Sequence, residues 1–406
     1  MERRHLLASL ETWTANRWND PMFCDGRRVC EVLRVCDSLV SDVQSVVTDQ
    51  PSGRRWSSGR WPPLGVGRAV AGRPERRLIM AETDPAVLVG TIGAAYLDSR
   101  CLHVVADLGV ADAIGDGPRT LASLAGELEV DEAALGRIIR HLASLGVFDF
   151  HDGSVHPNAA SQLLRSDDPS GMLAMTRMFA LPIMWESLRS LDESVRTGRP
   201  GASFRDPDGF FAYLDRHPEE SCIYDEGMTS MTLRRIDRIA PNYDFSGFGI
   251  IADIGGGRGH LLRAILDQTP GATGILFDRA QVLDGLDPGN RMTMQAGNFL
   301  DGRLPIADAY LLSNIIHDWD DDSAIAILTA IRSAAKATSR LLLFEFIVPD
   351  DAGQFDASDI DVWMLALVGG RERRLAEYQT LLERAGWSLL RAIPTESQTI
   401  LEAAAA

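Results

Sequence analysis

The sequence predicts an α/β protein built from a doubly wound, Rossmann-like sheet and a smaller winged-helix-like helical module that precedes it. Three observations carry this reading. After Phe245, short apolar runs alternate with helical stretches, the pattern of a mostly parallel sheet covered by helices on both faces. The first of these runs, "GIIADI", leads directly into a glycine-rich turn, Gly255 to Gly259. Upstream, several helical stretches end in a hairpin signal at Asp152-Gly153.

Taken in order, residues 1–79 differ in texture from the rest, with thirteen arginines against nine acids and a Pro/Gly/Ser/Arg-rich stretch from Pro51 to Arg77. They are expected to be a disordered or non-native extension, with the folded protein starting near Met80. Asp84-Pro85 then makes a helix start. "RCLHVVADLGVADAI", "LASLAGELE" and "DEAALGRIIRHLASLGVF" read as helices, the last with Leu135, Ile138, Ile139 and Leu142 on one face. Residues 80–165 therefore form the winged-helix-like module. Its third helix carries Arg137, Arg140 and His141, but Glu127, Glu129, Asp131 and Glu132 precede it, which favours packing or dimerisation over reading DNA.

Residues 166–245 read as a helical connector rich in Met and aromatic residues, which suit either core or an adaptable apolar pocket wall. Met178, Trp185 and Met228 are candidate acceptor contacts. Residues 246–406 hold the sheet, with strands expected at "GIIADI", "TGILFD", "RMTMQAG", "DAYLLSN" and "SRLLLFEF" and helices at "GHLLRAILDQ" and "DDSAIAILTAIRSAAK".

The chain has 406 residues and a formal net charge of −17, so it lacks the basic footprint of a nucleic-acid binder. No apolar run approaches the ~20 residues of a membrane span, and no secretory signal is evident, so a cytoplasmic protein is expected. Cys24, Cys30 and Cys36 recur every six residues without the spacing of a zinc site, and no metal is expected.

The chemistry concentrates at strand ends. Asp253 to Gly259 spells D-x-G-x-G-x-G; the dinucleotide pattern G-x-G-x-x-G fails because His260 stands at its last position. Asp278 closes the second strand, where an acid can accept both hydroxyls of a ribose. Asn298 and Phe299 close the third and suit an adenine edge and face. The fourth strand runs into "YLLSNIIHDWDD", which places His317 where the carboxyl ends of the strands form a ligand crevice.

With "DFSG", "ADIGGGRG", "AGNF", "HDWDD" and "GGRERRLAEYQTLLERAGW" in this order and spacing, the chain from about Met80 onward resembles the S-adenosylmethionine-dependent small-molecule O-methyltransferases of plants and bacteria. Its look is nearest to the bacterial enzymes that methylate phenolic hydroxyls of aromatic polyketides. The resemblance implies a class I methyltransferase fold, a homodimer, S-adenosylmethionine as methyl donor with S-adenosylhomocysteine as product, and an aromatic acceptor of polyketide or orsellinic type. It implies His317 as general base, flanked by Glu345 and Glu372. It also implies cofactor contacts from Asp253, Gly255, Gly256, Gly257, Asp278, Arg279, Asn298, Phe299, Ser313 and Trp319, with Asp318 beside the acceptor. Asn298 and Ser313 depart from the acidic residue and the lysine that other members carry there. A catalytically inactive nucleoside-binding or DNA-binding regulator on the same fold is the alternative; a NAD-dependent dehydrogenase is disfavoured by the failed glycine pattern.

Overall fold

The structure is a computed structural model that describes residues 84–350 and 357–406. The extension expected over residues 1–79 and its three cysteines lie outside the described residues, as does the start expected at Met80.

Helix α1 (Pro85–Asp107) starts where Asp84 accepts the Ala86 N–H at 2.7 Å, with Pro85 in the first turn. It continues through residues that the sequence divides between two helices. It stops at Gly109, whose φ of 66° breaks the helix before α2 (Val110–Ile114). Strand β1 (Arg119–Thr120), helices α3 (Leu121–Glu127) and α4 (Glu132–Ser144), and strands β2 (Asp149–His151) and β3 (Ser154–His156) complete the module. The strands form an antiparallel sheet in the order β1-β3-β2. Asp152 and Gly153 both take positive φ, as a two-residue hairpin turn demands. Val105, Leu124, Leu135, Ile139, Leu142, Phe148 and Val155 form the module's core. The opposite face of α1 leaves Val89, Ile92, Tyr96 and Leu97 exposed.

The connector consists of α5 (Ala159–Gln162), α6 (Met172–Ala180), α7 (Pro182–Arg189), α8 (Leu191–Thr197), α9 (Ala202–Arg205), α10 (Phe210–Arg216) and the long α11 (Pro218–Ile239). Its methionines and aromatics mostly make core: Met184, Phe210 and Tyr213 pack with Leu181, Ile183 and Leu214.

The main sheet contains β4 (Ile250–Ile254), β5 (Thr273–Asp278), β6 (Met292–Ala296), β7 (Ala309–Ser313), β8 (Arg340–Glu345), β11 (Trp387–Pro394) and β12 (Thr399–Ala405). Its order is β11-β12-β8-β7-β4-β5-β6, with β4 to β8 parallel and β12 antiparallel to both neighbours. Helices α12 (His260–Gln268), α13 (Ala280–Leu283), α14 (Asp321–Ala334), α15 (Ser358–Leu367) and α16 (Leu375–Arg384) belong to this half, as does a two-residue parallel pair, β9 (Ile347–Val348) with β10 (Arg373–Arg374). One core layer packs Ile327, Leu328, Ile331, Tyr378, Leu382 and Trp387 against the sheet; the other packs Ile236, Ile239, Leu262, Ile265 and Leu266. The chain reverses its direction of strand addition between β4 and β7. That reversal opens a crevice at the carboxyl ends of these strands.

Candidate active site

Five strand ends, those of β4 to β8, supply the site. At the end of β4, Gly255 takes φ 72°, and a Cβ there would meet the Ile315 side chain at 2.6 Å, so only glycine fits. The turn aims the Gly257 N–H at Asp278 Oδ2, at 2.8 Å, while Asp278 Oδ1 accepts the Arg279 N–H at 2.7 Å. Asp278 thus ties the glycine turn to the end of β5. Burial raises its carboxyl above the usual range despite these hydrogen bonds.

Beside it Asp253 is almost fully buried, and neither of its carboxylate oxygens finds a partner among the described residues. Burial and then the neighbouring Asp278 push it up to about 7. Two orphaned acceptor oxygens facing a cavity are what a donor-bearing ligand would satisfy.

The cavity has a volume of about 380 Å³. Asp253, Gly255, Gly256, Gly257, Asp278, Arg279, Asn298, Phe299, Ser313, Asp318, Trp319 and Met228 all line it. Phe299 and Trp319 meet edge to face with centroids 5.6 Å apart. Asn298 also caps the turn after β6, its Oδ1 accepting the Leu300 N–H at 2.9 Å.

Tyr224, Asp225, Thr229 and Thr232 of α11 line the cavity as well, and the sequence did not single them out. Their spacing with Met228 is that of one helix face, a signal indistinguishable from core packing until the sheet is in place. Met178 and Trp185 are not among the lining residues. Met178 is buried against Gly227, and Trp185 donates its Nε1–H to His103 Nδ1 at 3.2 Å. Both are drawn into helix packing, the commoner fate of large apolar residues at helical spacing.

His317 sits in a single turn of 3₁₀ helix, Ile316–Asp318, just past the end of β7. The sequence places the ring at a surfacing point; in the structure it is buried. Its Nδ1 lies 2.7 Å from Glu372 Oε1 and 3.8 Å from Glu345 Oε2; its Nε2 lies 3.5 Å from Asp318 Oδ1. The short contact assigns the Nδ1 proton to Glu372 and turns Nε2 toward the side on which Asp318 meets the cavity.

Glu345, at the end of β8, is itself oriented: its Oε1 accepts the N–H groups of Ile315 and Ile316 at 3.3 and 2.9 Å. Glu372 is held by its own N–H, which donates to Asp361 Oδ1 at 2.8 Å. Gly370 lets this segment pass, since a Cβ there would lie 1.9 Å from the His317 carbonyl oxygen.

The electrostatics follow from these positions. Burial by itself would lower the imidazole, but the charges of Glu345 and Asp318 and the hydrogen bond from Glu372 outweigh it and raise His317 to about 9. Burial carries Glu345 up to about 7, opposed by His317, and Asp318 to about 6, again opposed by His317.

Sequence reasoning missed Arg373, which is completely buried. Its Nη1 donates to the Ile316 carbonyl at 3.0 Å, its Nη2 to the Trp319 carbonyl at 2.6 Å, and its guanidinium pairs with Asp321 at 2.8 Å. It wraps the turn that presents His317. Gln398 was missed too: its Nε2 donates to Asn314 Oδ1 and to the Phe344 carbonyl, and so supports Asn314, whose φ is 55°.

His317, Glu345 and Glu372 offer donor atoms within 4.8 Å of one another, a set of metal-ligand type that the sequence reading did not find. The 2.7 Å contact between Nδ1 and Oε1 has the length of a charge-assisted hydrogen bond, which already accounts for that pair.

The comparisons with known proteins converge on one family. The O-methyltransferase domain pattern matches residues 188–388, and the O-methyltransferase dimerisation domain pattern matches residues 92–167. A mitomycin biosynthesis 6-O-methyltransferase of Streptomyces lavendulae is 35% identical over 73% of this chain and 87% of that protein. The chain belongs to the O-methyltransferase family.

As a member it is an S-adenosylmethionine-dependent methyltransferase, and it carries the family's dimerisation domain in the winged-helix-like module. The solved structure of LaPhzM matches 80% of this chain and 100% of its own, with a TM-score of 0.76 and 32% identity. NcsB1 from neocarzinostatin biosynthesis, solved with S-adenosylmethionine and 2-hydroxy-5-methyl naphthoic acid, matches 76% of this chain and 96% of its own with a TM-score of 0.67 and 31% identity. Among the described residues no helix is long and apolar enough to cross a membrane.

Proposed function

We propose that this methyltransferase moves a methyl group to a phenolic hydroxyl of an aromatic natural-product intermediate, with His317 as general base. The observation that supports this best is the buried His317–Glu372 pair at 2.7 Å, set one turn beyond a strand whose end, Ser313, lines the cavity with the glycine turn. The residues present fit the cofactor. A glycine turn admits close approach, Asp253 and Asp278 offer carboxylates to polar hydrogens, and Asn298, Phe299 and Trp319 offer an amide and aromatic faces.

When bound, S-adenosylmethionine supplies an electrophilic methyl on a positively charged sulphur. The protein must then provide a deprotonated acceptor oxygen in line with it. A phenol ionises near ~10 and a free imidazole near ~6.5, a gap of about 5 kcal/mol. With His317 raised to about 9, the gap falls to roughly one unit, or about 1.4 kcal/mol. A phenol beside neutral His317 and a phenolate beside imidazolium then lie close in energy, so the proton can pass to Nε2 as the new bond forms. Glu372 fixes the ring so that Nε2, not Nδ1, receives it. The buried setting keeps water away from the pair, and holding both reactants in line removes several further kcal/mol of the barrier.

In this reading residues 80–165 form the dimerisation module of a cytoplasmic homodimer, 166–245 the acceptor wall and 246–406 the catalytic domain. The exposed apolar face of α1 supports the dimer. The direct test is incubation with S-adenosylmethionine and a panel of hydroxylated aromatics, following S-adenosylhomocysteine release and locating the new methoxy group by NMR. Formation of S-adenosylhomocysteine that depends on a phenol and requires His317 is the expected result. Binding of the cofactor with no transfer to any phenol would leave a nucleoside-binding regulator instead.

A further inference from the structure

Each of the two carboxylates that flank His317 has one oxygen in use and one left over. Glu345 Oε1 accepts the Ile315 and Ile316 N–H groups, and Glu372 Oε1 meets His317 Nδ1 at 2.7 Å. Glu345 Oε2, 3.8 Å from His317 Nδ1, and Glu372 Oε2 are buried and make no hydrogen bond among the described residues. The same holds for the hydroxyl of Tyr378, on α16. Tyr378 is completely buried and packs in the same core layer as Ile316, the residue whose N–H Glu345 holds.

The three atoms belong together. After burial, the charges of Glu345 and then Glu372 weigh most on the Tyr378 hydroxyl, and they hold it well above the ordinary range for a phenol, so it keeps its proton. Arg373 also acts on it, but a guanidinium only donates, so the hydroxyl proton has no acceptor there. The other charged or titratable groups about the pair are His317 and Asp318 on the turn, Arg373 on β10, and Arg235 on α11, whose charge interacts with Glu372. Asp361 on α15 accepts the Glu372 N–H. None of the hydrogen bonds these groups make reaches the two free oxygens. Buried polar atoms without a partner are costly, and a bound water serves them where no side chain reaches. One donor and two carboxylate oxygens are three partners, the number an internal water commonly has.

We propose that Tyr378 is a positioning residue for methyl transfer: its hydroxyl donates to a single buried water, which donates to Glu345 Oε2 and Glu372 Oε2 and so holds both carboxylates ionised around the His317 ring. The water has one proton for each carboxylate, and its lone pair receives the Tyr378 proton, so every group is satisfied. A donor on the free oxygen favours the charged form of a buried carboxylate, and two charged carboxylates strengthen the hold of the ring on the proton it takes. Tyr378 is not among the residues that line the cavity, so it acts through this pair and not on cofactor or acceptor. The role rests on the reading of His317 as general base and deepens it.

The test is the titration of His317 in the full chain saturated with S-adenosylhomocysteine, followed by NMR on isotope-labelled histidine. The His317 signal is the one missing from the spectrum of His317→Gln. The wild type should titrate near 9. Tyr378→Phe removes only the hydroxyl and should lower that midpoint by about one pH unit, a tenfold loss of proton affinity. In a background carrying both Glu345→Gln and Glu372→Gln, the same substitution should leave the midpoint unchanged, because the hydroxyl acts through the carboxylates. A high-resolution crystal structure of the unsubstituted protein should show one water within hydrogen-bonding distance of all three atoms, which decides the matter even where the phenylalanine variant does not fold.

A midpoint that stays in place in Tyr378→Phe would overturn the inference, as would an equal fall in the background lacking both carboxylates. Three atoms without a common water in the crystal structure would overturn it too. Neither measurement uses an acceptor. Failure of phenol methylation would remove the base reading and leave the titration as it is, whereas an unmoved midpoint removes Tyr378 alone.

Discussion

Glu372 Oε1 lies 2.7 Å from His317 Nδ1, and both side chains are buried although they are separated by more than fifty residues of sequence. This contact sets the tautomer, the orientation and much of the basicity of the ring.

Replacing His317 by alanine should lower kcat by about 10² or more, because a positioned base contributes on that order. S-adenosylhomocysteine affinity should change little, since His317 is not among the residues lining the cavity. Calorimetry beside steady-state kinetics checks both halves; full turnover in the variant would remove the base assignment.

The pH dependence has a defined sign. His317 accepts a proton only when neutral, so kcat/KM should climb with pH and level off above about 9. Stability should move the other way. A histidine raised from its ordinary ~6.5 contributes stability that is complete below that value and lost as pH rises through about 9, at most about 3 kcal/mol. Glu345, raised to about 7, adds loss of the same sign at lower pH. Urea unfolding between pH 6 and 9.5 measures this; a flat profile would contradict the charge arrangement.

Glu372→Gln removes one carboxylate from the ring while keeping a hydrogen-bonding side chain. The midpoint of the kcat/KM profile should shift toward acid, and the rate at its plateau should drop roughly tenfold as the base weakens. An unshifted midpoint would show that Glu372 orients without charging.

Asp278→Ala should weaken S-adenosylhomocysteine binding by 10- to 100-fold. The variant would lose carboxylate contacts to the ligand and also the acceptor that fixes the Gly257 N–H. Unchanged affinity by calorimetry would exclude the ribose role.

Arg373→Met should destabilise the protein by about 3 kcal/mol, since it leaves the Ile316 and Trp319 carbonyls without their donor. It should also reduce kcat with little change in acceptor KM, because the turn carrying His317 loses its brace. Urea melts and kinetics together separate this from a purely structural loss.

The legible parts of the protein were those coded by contiguous residues. The alternation of β4 to β8 with their helices showed in apolar runs of strand length, and the glycine turn showed because a backbone at φ 72° with Ile315 pressed against it excludes other residues. The edge pair β11 and β12 did not show. "ILEAAA" has the composition of a helix former, and only the open backbone edge of β8, six residues of which pair with β12, holds it extended.

Sequence alone determined which residues could do chemistry and which strand ends would carry them, because strand ends are local and the crevice follows from topology. Tertiary structure alone decided how they act. It buried His317, brought Glu345 and Glu372 from two other elements to its Nδ1 side, and sent Met178 and Trp185 into packing. It also placed Arg373 behind the turn that carries His317. These outcomes depend on distances across the fold, and a one-dimensional pattern of residue types does not contain distances.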